Sequence, residues 1–332
     1  MTRAQTAPSN PDPAARSRAV VVVGVGRSGT SAITRALQAI GVELEDDLRR
    51  GRGKNPTGFF EDLGLRRITN RVKKALGIRG RSVGLLEAKW WEAPAVRSLQ
   101  AEAVALIQRR FGHHPVWGFK HGRTLRILPF WCEVFRELDM DVRYVVAIRN
   151  PLSVARSRAR LDRRRGAQGK SDLEWLVTAV PYFRMLRESP FVVVDYDLVM
   201  ADPIAQLERM AAALDLPPTP ETSAAIRAYA EKFLQPRLRH SQFSDLELAR
   251  DPLVNPLTQD GYRWLYGLAT DRISRHSPEL WAGWERIERA LADLGPILLY
   301  IDRLEEDLRR AKASPLGPLQ ALPDLWRKLR GR

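Results

Sequence analysis

A glycine-rich turn follows the first apolar run of the chain and carries residue types that bind phosphate. The valines at 20–23 lead into a turn at 24–29, which holds Arg27, and an amphipathic helix is predicted over 32–40. Backbone N–H groups of such a turn and of the helix N-terminus converge on one anion. The pattern therefore predicts a cradle for a phosphate-like group, with the Arg27 side chain beside it.

The glycine spacing from Gly24 to Gly29 matches the phosphate loop of nucleoside-triphosphate hydrolases, but Thr30 stands where those proteins have lysine. The pattern therefore favours a phosphate group other than the β- and γ-phosphates of ATP with their magnesium. A P-loop kinase or NTPase is the alternative, because the apolar stretch 192–194 ends at Asp195 and resembles the strand that supports magnesium in those enzymes. Nucleotide titration with and without magnesium separates the two predictions.

A second anion-binding element is predicted around Arg149. Residues 142–148 are typical of a buried strand, and Pro151 suits the first turn of the helix that follows. Ser157 comes eight residues after Arg149, roughly two helical turns into that helix. A guanidinium at the strand end and a hydroxyl on the helix can close on one phosphate from two sides. The alternative interpretation is a surface arginine and a solvated serine.

Together the two elements resemble the sulfotransferases that use 3′-phosphoadenosine 5′-phosphosulfate (PAPS). The residues at 27–31 resemble the loop of that family for the 5′-phosphosulfate, and Arg149 with Ser157 resembles its signature for the 3′-phosphate. The resemblance extends over 19–216 and is fainter at 235–241. It implies that the donor is bound by Gly26, Arg27, Ser28, Gly29, Thr30, Ser31, Arg149 and Ser157, and by Arg239 and Ser241 in a loop that closes over the 3′-phosphate.

The resemblance also implies a sulfuryl transfer in which Arg27 meets the sulfonate and a general base takes the proton of the acceptor hydroxyl. We predict Glu61 as the base, because the aromatic residues at 59–60 would desolvate it and raise its pKa. The alternative is a carboxylate that begins a helix and favours its dipole. His121 is the rival base. It directly follows Lys120, whereas cytosolic members of the family separate the two by one residue. We expect Lys120 to contact the sulfonate and His121 to orient the substrate.

Strands and helices alternate along 19–216, which predicts an α/β fold of three layers, α/β/α, around a central parallel sheet. Ligands of such sheets bind at the carboxyl ends of the strands. Gly24, Lys120, Arg149 and Asp195 lie at or near predicted strand ends. This coincidence favours one shared site.

The predicted organisation is a single domain over 19–312, with a core over 19–216 and a mostly helical part over 217–312. Residues 1–18 are rich in proline, serine and alanine and are predicted to be a disordered leader. Residues 313–332 are predicted to be a flexible basic tail, whose amphipathic end could make a weak contact with a membrane surface. No apolar run approaches the roughly 18 residues that span a bilayer.

The 332 residues carry a formal net charge of +15, so the surface attracts an anionic nucleotide or a polyanion. A basic nucleic-acid-binding module is therefore the non-enzymatic alternative. The arginine clusters at 49–54 and 163–165 lack a recognisable motif and interleaved aromatics, so we expect no nucleic-acid partner. Steeply salt-dependent DNA binding without transfer activity would favour the alternative.

Cys132 is the single cysteine, which excludes an intrachain disulfide and suits a reducing cytoplasm. The five histidines are scattered and predict no metal-ligand cluster, and we expect no metal requirement. The expected acceptor is the hydroxyl of a glycan, a lipid-linked sugar or a metabolite.

Overall fold

Four parallel strands form one sheet in a computed structural model that describes residues 16–45, 47–49, 58–80, 82–235 and 241–313. The spatial order is β2-β1-β3-β4. The strands are β1 Arg18–Gly24, β2 Val116–Lys120, β3 Asp141–Ile148 and β4 Phe191–Asp195. The register aligns Val22 with Lys120 and Ile148 with Asp195. The carboxyl ends of all four strands therefore meet at one edge of the sheet.

Many of the described helices begin at a residue suited to a first turn. Proline begins six of them, where its missing N–H costs no hydrogen bond. Within the described residues, no helix combines the length and apolarity that a membrane span needs. The helices are α1 Thr30–Ala39, α2 Leu63–Ala75, α3 Pro94–Phe111, α4 Leu128–Glu137, α5 Pro151–Ala159, α6 Gln168–Phe183, α7 Tyr196–Ala201, α8 Pro203–Ala213, α9 Pro220–Ala228, α10 Asp245–Arg250, α11 Pro256–Ala269, α12 Pro278–Asp293 and α13 Gly295–Ala313.

The alternating side chains of β1 supply two hydrophobic cores, one on each face of the sheet. Val20 and Val22 pack with Leu37 of α1 and with α8, and Val21 and Val23 pack with α3, α4 and α6. Residues 19–23 are fully buried, as expected for a central parallel strand covered on both sides. The predicted α/β class with a three-layer α/β/α arrangement is confirmed.

The predicted leader at 1–18 is wrong at its end. The strand starts two residues before the valine run, so Arg18 begins β1, and its side chain pairs with Asp141 of β3 at 2.6 Å. Residues 1–15 lie outside the described part of the chain, as do 314–332 of the predicted tail. The helical part predicted from 217 contains α9 to α13.

Candidate functional site

The turn after β1 has a backbone that its glycines make possible. Gly24 and Gly29 have φ values of +146° and +74°, and Arg27 also has a positive φ of +83°. The N–H of Ser28 donates to the Val25 carbonyl at 3.2 Å, and Gly29 precedes α1 without a side-chain cap on its first-turn N–H groups. The Ser28 hydroxyl is buried and has no hydrogen-bond partner among the described residues. Uncapped amides and an orphaned hydroxyl are what a bound anion would satisfy.

Two features require glycine at position 29, its positive φ and the closeness of the Tyr196 ring, so its replacement by alanine is expected to destabilise the protein. Besides its positive φ, a Cβ there would lie 2.1 Å from the Tyr196 ring, whereas a Cβ on Gly26 would meet nothing within 4 Å. We expect Gly29→Ala to lower the free energy of unfolding by about 1–3 kcal/mol or more. Gly26→Ala is expected to change it by about 0.5 kcal/mol or less. Urea denaturation of both variants measures the difference, and equal losses would contradict this account.

Arg27 joins this turn to the helix after β3. Its Nε donates to the Ser157 hydroxyl on α5 at 2.9 Å, across 130 residues of sequence. Burial lowers the pKa of Arg27, and the positive charges of Arg149 and Arg165 lower it further. The two predicted anion-binding elements thus lie within each other's electrostatic field on one side of the sheet.

Arg149 is buried at the end of β3 and is held by neighbours from two later segments. It donates to the Ser241 carbonyl at 2.5 Å, pairs with Asp197 at 3.4 Å and stacks over the Tyr196 ring at 4.8 Å. Tyr196 in turn packs against Gly29, so one ring connects Arg149 with the phosphate loop. Sequence reasoning did not single out Tyr196 or Asp197.

The structure therefore brings Arg149 and Ser241 together, as the donor-site prediction required. It joins Ser157 to Arg27, and no hydrogen bond between Ser157 and Arg149 occurs among the described residues. Arg239 lies outside the described residues. The donor-binding roles of all these residues stay predictions.

Glu61 is surrounded by cations at the carboxyl end of β2. Its Oε2 accepts from Arg49 at 3.1 Å and pairs with Arg66 at 3.5 Å, and its Oε1 accepts from Lys120 at 3.3 Å. Burial by itself raises the pKa of Glu61, but Lys120 and Arg49 outweigh it and the net pKa is lowered. The expected rise in pKa is thus wrong, because desolvation by residues 59–60 competes with nearby positive charges. Glu61 is an ionised carboxylate at neutral pH.

Asp62, and not Glu61, caps helix α2. The Asp62 carboxylate accepts the N–H of Leu65 at 2.7 Å. Burial raises the pKa of Asp62, and its hydrogen bond from Leu65 and its contact with Arg110 oppose that rise. Glu61 directly precedes this cap, and the contacts of its side chain among the described residues are with Arg49, Arg66 and Lys120 and not with the N–H groups of α2.

Lys120 bridges the phosphate loop and Glu61. Its Nζ donates to the Ser31 hydroxyl and to Glu61 Oε1, both at 3.3 Å. The Ser31 hydroxyl donates in turn to the Phe59 carbonyl at 3.4 Å. Burial lowers the pKa of Lys120, and the contact with Glu61 opposes that shift. Lys120 therefore lies between the predicted phosphate cradle and the predicted base.

His121 is a neutral imidazole. Burial lowers its pKa to about 3; the negative charge of Glu61 opposes the shift, and Lys73 adds to it. Its Nδ1 accepts the N–H of Arg123 at 3.3 Å, so the single ring proton belongs on Nε2. An Nε2 that already holds a proton can donate a hydrogen bond but cannot accept the proton of a hydroxyl. This geometry fits the predicted orienting role and opposes His121 as the base.

A cavity of about 310 Å³ opens beside these residues. The predicted site residues Gly26, Arg27, Glu61 and His121 line it. The sequence analysis gave no site role to several basic residues of its walls. Arg66, Asn70 and Lys73 do carry a signal in the sequence, because their i, i+4, i+7 spacing places them on one face of α2. The basic and amide lining residues without a predicted site role are Asn70, Arg49, Arg66, Lys73, Arg123, Arg158 and Arg165, of which Arg49 and Arg165 belong to the arginine clusters named above.

Asp195, the residue behind the P-loop NTPase alternative, is engaged within the protein. Its Oδ1 accepts the N–H groups of Asp197 and Leu198 at 2.7 and 3.2 Å and so caps α7. Its Oδ2 accepts from the Tyr262 hydroxyl at 3.3 Å. Both carboxylate oxygens thus serve the fold, which disfavours a magnesium-supporting role.

The buried Asp195 carboxyl is expected to make stability fall as the pH rises. Burial and the charge of Asp197 raise its pKa from 3.8 to about 7. The folded state therefore binds more protons than the unfolded state between about pH 4 and pH 7, and stability declines through that window. Asp195→Asn keeps a capping oxygen and removes the titration. Urea denaturation at about pH 5 and pH 8 measures the free energy of unfolding of both proteins. The value for the variant, relative to the wild type, should be higher at pH 8 than at pH 5. A difference that is the same at both pH values would contradict the assignment.

A further group of possible metal ligands lies at the other end of the sheet. Glu45, His113 and His114 offer ligand atoms within 4.8 Å of one another, a cluster that the scattered histidines did not predict. His113 and His114 precede β2, and Arg110 already donates to Glu45 at 3.1 Å. This cluster is thus separate from the strand ends that carry the candidate site.

No protein-family model and no curated protein matches the sequence. Among solved structures, the chain is similar to a sulfotransferase from Mycobacterium avium, with 17% identity, a TM-score of 0.42 and coverage of 71% of this chain and 75% of that one. It is also similar to the sulfotransferase domain of the Synechococcus olefin synthase, with 16% identity, a TM-score of 0.41 and coverage of 86% and 98%. A third is retinol dehydratase in complex with androsterone and the inactive cofactor PAP, with 14% identity, a TM-score of 0.33 and coverage of 82% and 80%. These similarities are distant.

Proposed function

We propose that this chain is a sulfotransferase that moves the sulfuryl group of PAPS to a hydroxyl. The observation that carries the proposal is the 2.9 Å hydrogen bond from Arg27 to Ser157. It joins the glycine-rich turn after β1 to the helix after β3, its neighbour in the sheet. A nucleotide with phosphates at both ends of its ribose needs two anion sites that face one cleft, and this contact supports such a pair.

The donor is proposed to lie along the strand ends between the turn and Arg149. The N–H groups of Gly29, Thr30 and Ser31 and the orphaned Ser28 hydroxyl would hold the 5′-phosphate. Arg149, which is fixed by Asp197 and the Ser241 carbonyl, would bind the 3′-phosphate. An arginine held in place by such partners presents its fork of N–H donors at little entropic cost.

The transfer is proposed to be an in-line displacement at sulfur. The acceptor oxygen forms a bond to sulfur while the bond from sulfur to the bridging phosphate oxygen breaks, and 3′-phosphoadenosine 5′-phosphate (PAP) leaves. Glu61 accepts the proton of the hydroxyl, since it is ionised and faces the cavity. Arg27 and Lys120 neutralise the charge that grows on the leaving phosphate and the sulfonate. In a loose transition state of this kind, positioning and charge neutralisation supply most of the catalysis.

Calorimetry with PAP and ATP, with and without magnesium, tests the donor. We expect PAP to bind more tightly than ATP and independently of magnesium, because Thr30 replaces the lysine of P-loop NTPases and Asp195 is engaged in capping. Tighter binding of ATP with magnesium would favour the kinase or NTPase alternative. Steeply salt-dependent DNA binding with no preference for PAP would favour the nucleic-acid alternative.

A further inference from the structure

The cavity beyond Glu61 is lined by an excess of positive charge. One wall is the face of α2 that presents Arg66, Asn70 and Lys73, and the turn after β2 adds Arg123. The basic residues of the whole lining are Arg27, Arg49, Arg66, Lys73, Arg123, Arg158 and Arg165, against the two carboxylates Glu61 and Glu174. A concave surface with this imbalance attracts anions.

The two carboxylates of the lining are already paired with a subset of these cations. Arg165 donates to both oxygens of Glu174, at 3.0 and 2.6 Å, and Arg158 lies 3.7 Å from the same carboxylate. Glu61 is held by Arg49 and the neighbouring cations described above. Of the cations on the α2 wall, Arg66 thus shares Glu61 with Arg49 and Lys120, whereas Lys73 forms no ion pair with either acid among the described residues.

Lys73 and Arg123 have no carboxylate within 4 Å among the described residues. Lys73 donates only weakly to the Asn70 side chain at 3.5 Å, and Arg123 donates to the Gly80 carbonyl at 2.7 Å. Burial lowers the pKa of Lys73, and the positive charges of Arg123 and Arg126 lower it further. Half-buried like charges that repel one another are costly unless an anion joins them.

These two cations belong to a different wall from the proposed donor site. The donor residues come from the turn after β1, from α5 and from the end of β3, whereas Lys73 and Arg123 come from α2 and the turn after β2. Glu61 and His121 lie in the same cavity. A group bound by Lys73 and Arg123 would therefore accompany the acceptor and not the nucleotide.

We propose that the acceptor is itself an anion, a small hydroxyl compound that carries a phosphate, sulfate or carboxylate group bound by Lys73 and Arg123. This inference rests on the proposed function and names the substrate class of the same site. A cavity of about 310 Å³ holds a unit the size of a monosaccharide, which favours a small acceptor or the end of a chain over a nucleic-acid duplex.

Binding of inorganic anions to the full chain saturated with PAP tests this inference. Sodium phosphate, sulfate and acetate are titrated at constant ionic strength against chloride, and binding is followed by the thermal unfolding midpoint and by calorimetry. Lys73→Gln is compared with Lys74→Gln, which removes the same charge from the next residue of α2, where the side chain is exposed. We expect Lys73→Gln to bind its preferred anion about tenfold more weakly and Lys74→Gln to bind it as the wild type does.

Equal anion binding by both variants, or no anion binding by the wild type with PAP bound, would overturn the inference. The anion that binds best identifies the charged group of the acceptor. Failure of the proposed function has a different signature, because it appears as failure of the wild type to bind PAP. If the wild type does not bind PAP, the acceptor role of this cavity is excluded, whichever anions bind there.

Discussion

Replacing Glu61 with glutamine is expected to slow sulfuryl transfer by a factor on the order of 10²–10⁴, the usual contribution of a general base. The amide cannot accept the proton of the acceptor hydroxyl, and its single oxygen can accept from Lys120 or from Arg49, which contact different oxygens of the carboxylate at 3.3 and 3.1 Å. PAP affinity is expected to change little, since Arg27 and Arg149 carry the proposed donor contacts. Single-turnover transfer from PAPS measures the chemical step, and calorimetry with PAP measures donor binding.

His121→Asn is the matched comparison for this variant. Asparagine can keep an oxygen where His121 Nδ1 accepts the N–H of Arg123, so the local turn is preserved while the imidazole is lost. We expect a smaller loss of rate than for Glu61→Gln. Near-normal transfer by Glu61→Gln, together with a collapse of transfer in His121→Asn, would exchange the two roles.

Replacing Arg149 with alanine is expected to weaken PAP binding by a factor on the order of 100, because two charge-assisted hydrogen bonds to the 3′-phosphate would be lost. ATP lacks that phosphate, so its affinity should fall much less and the preference for PAP should largely disappear. Calorimetry with both nucleotides measures the ratio of affinities, and thermal unfolding checks that the change leaves the fold intact.

Arg156→Ala is the control, since Arg156 lies on the exposed side of α5, seven residues after Arg149. It removes the same charge from the same region and is expected to leave both affinities near those of the wild type. Equal losses in the two variants would mean that Arg149 acts through overall charge alone. Unchanged PAP affinity in Arg149→Ala would remove it from the donor site.

Helix α6 illustrates why some elements escaped sequence reasoning. Helix α6 begins at Gln168, seven residues before the apolar stretch that starts at Trp175. Asp172 and Glu174 give this first part a polar, loop-like composition. In the fold, however, Asp172 accepts the N–H of Asn255 and Glu174 binds Arg165. Partners outside the helix thus satisfy buried charges that a local pattern assigns to solvent.

The local pattern of the chain was enough to predict the α/β fold, the turn after β1 and the placing of Lys120 and Arg149 at strand ends. Strand and helix periodicity, together with glycine and proline positions, is a property of consecutive residues, and parallel strands bring their ends to one edge without further information. These predictions needed no knowledge of which distant segments touch.

Only the tertiary structure decided the state of each charged group. Asp62 took the cap of α2 and left Glu61 beside Lys120, which is 59 residues away in sequence. That contact lowered the pKa that the neighbouring aromatics were expected to raise. The tertiary structure likewise joined Arg27 to Ser157 and lined one cavity with cations from several elements. The physical reason is that a pKa and an ion pair depend on every charge within a few ångströms, and folding chooses those neighbours from the whole chain.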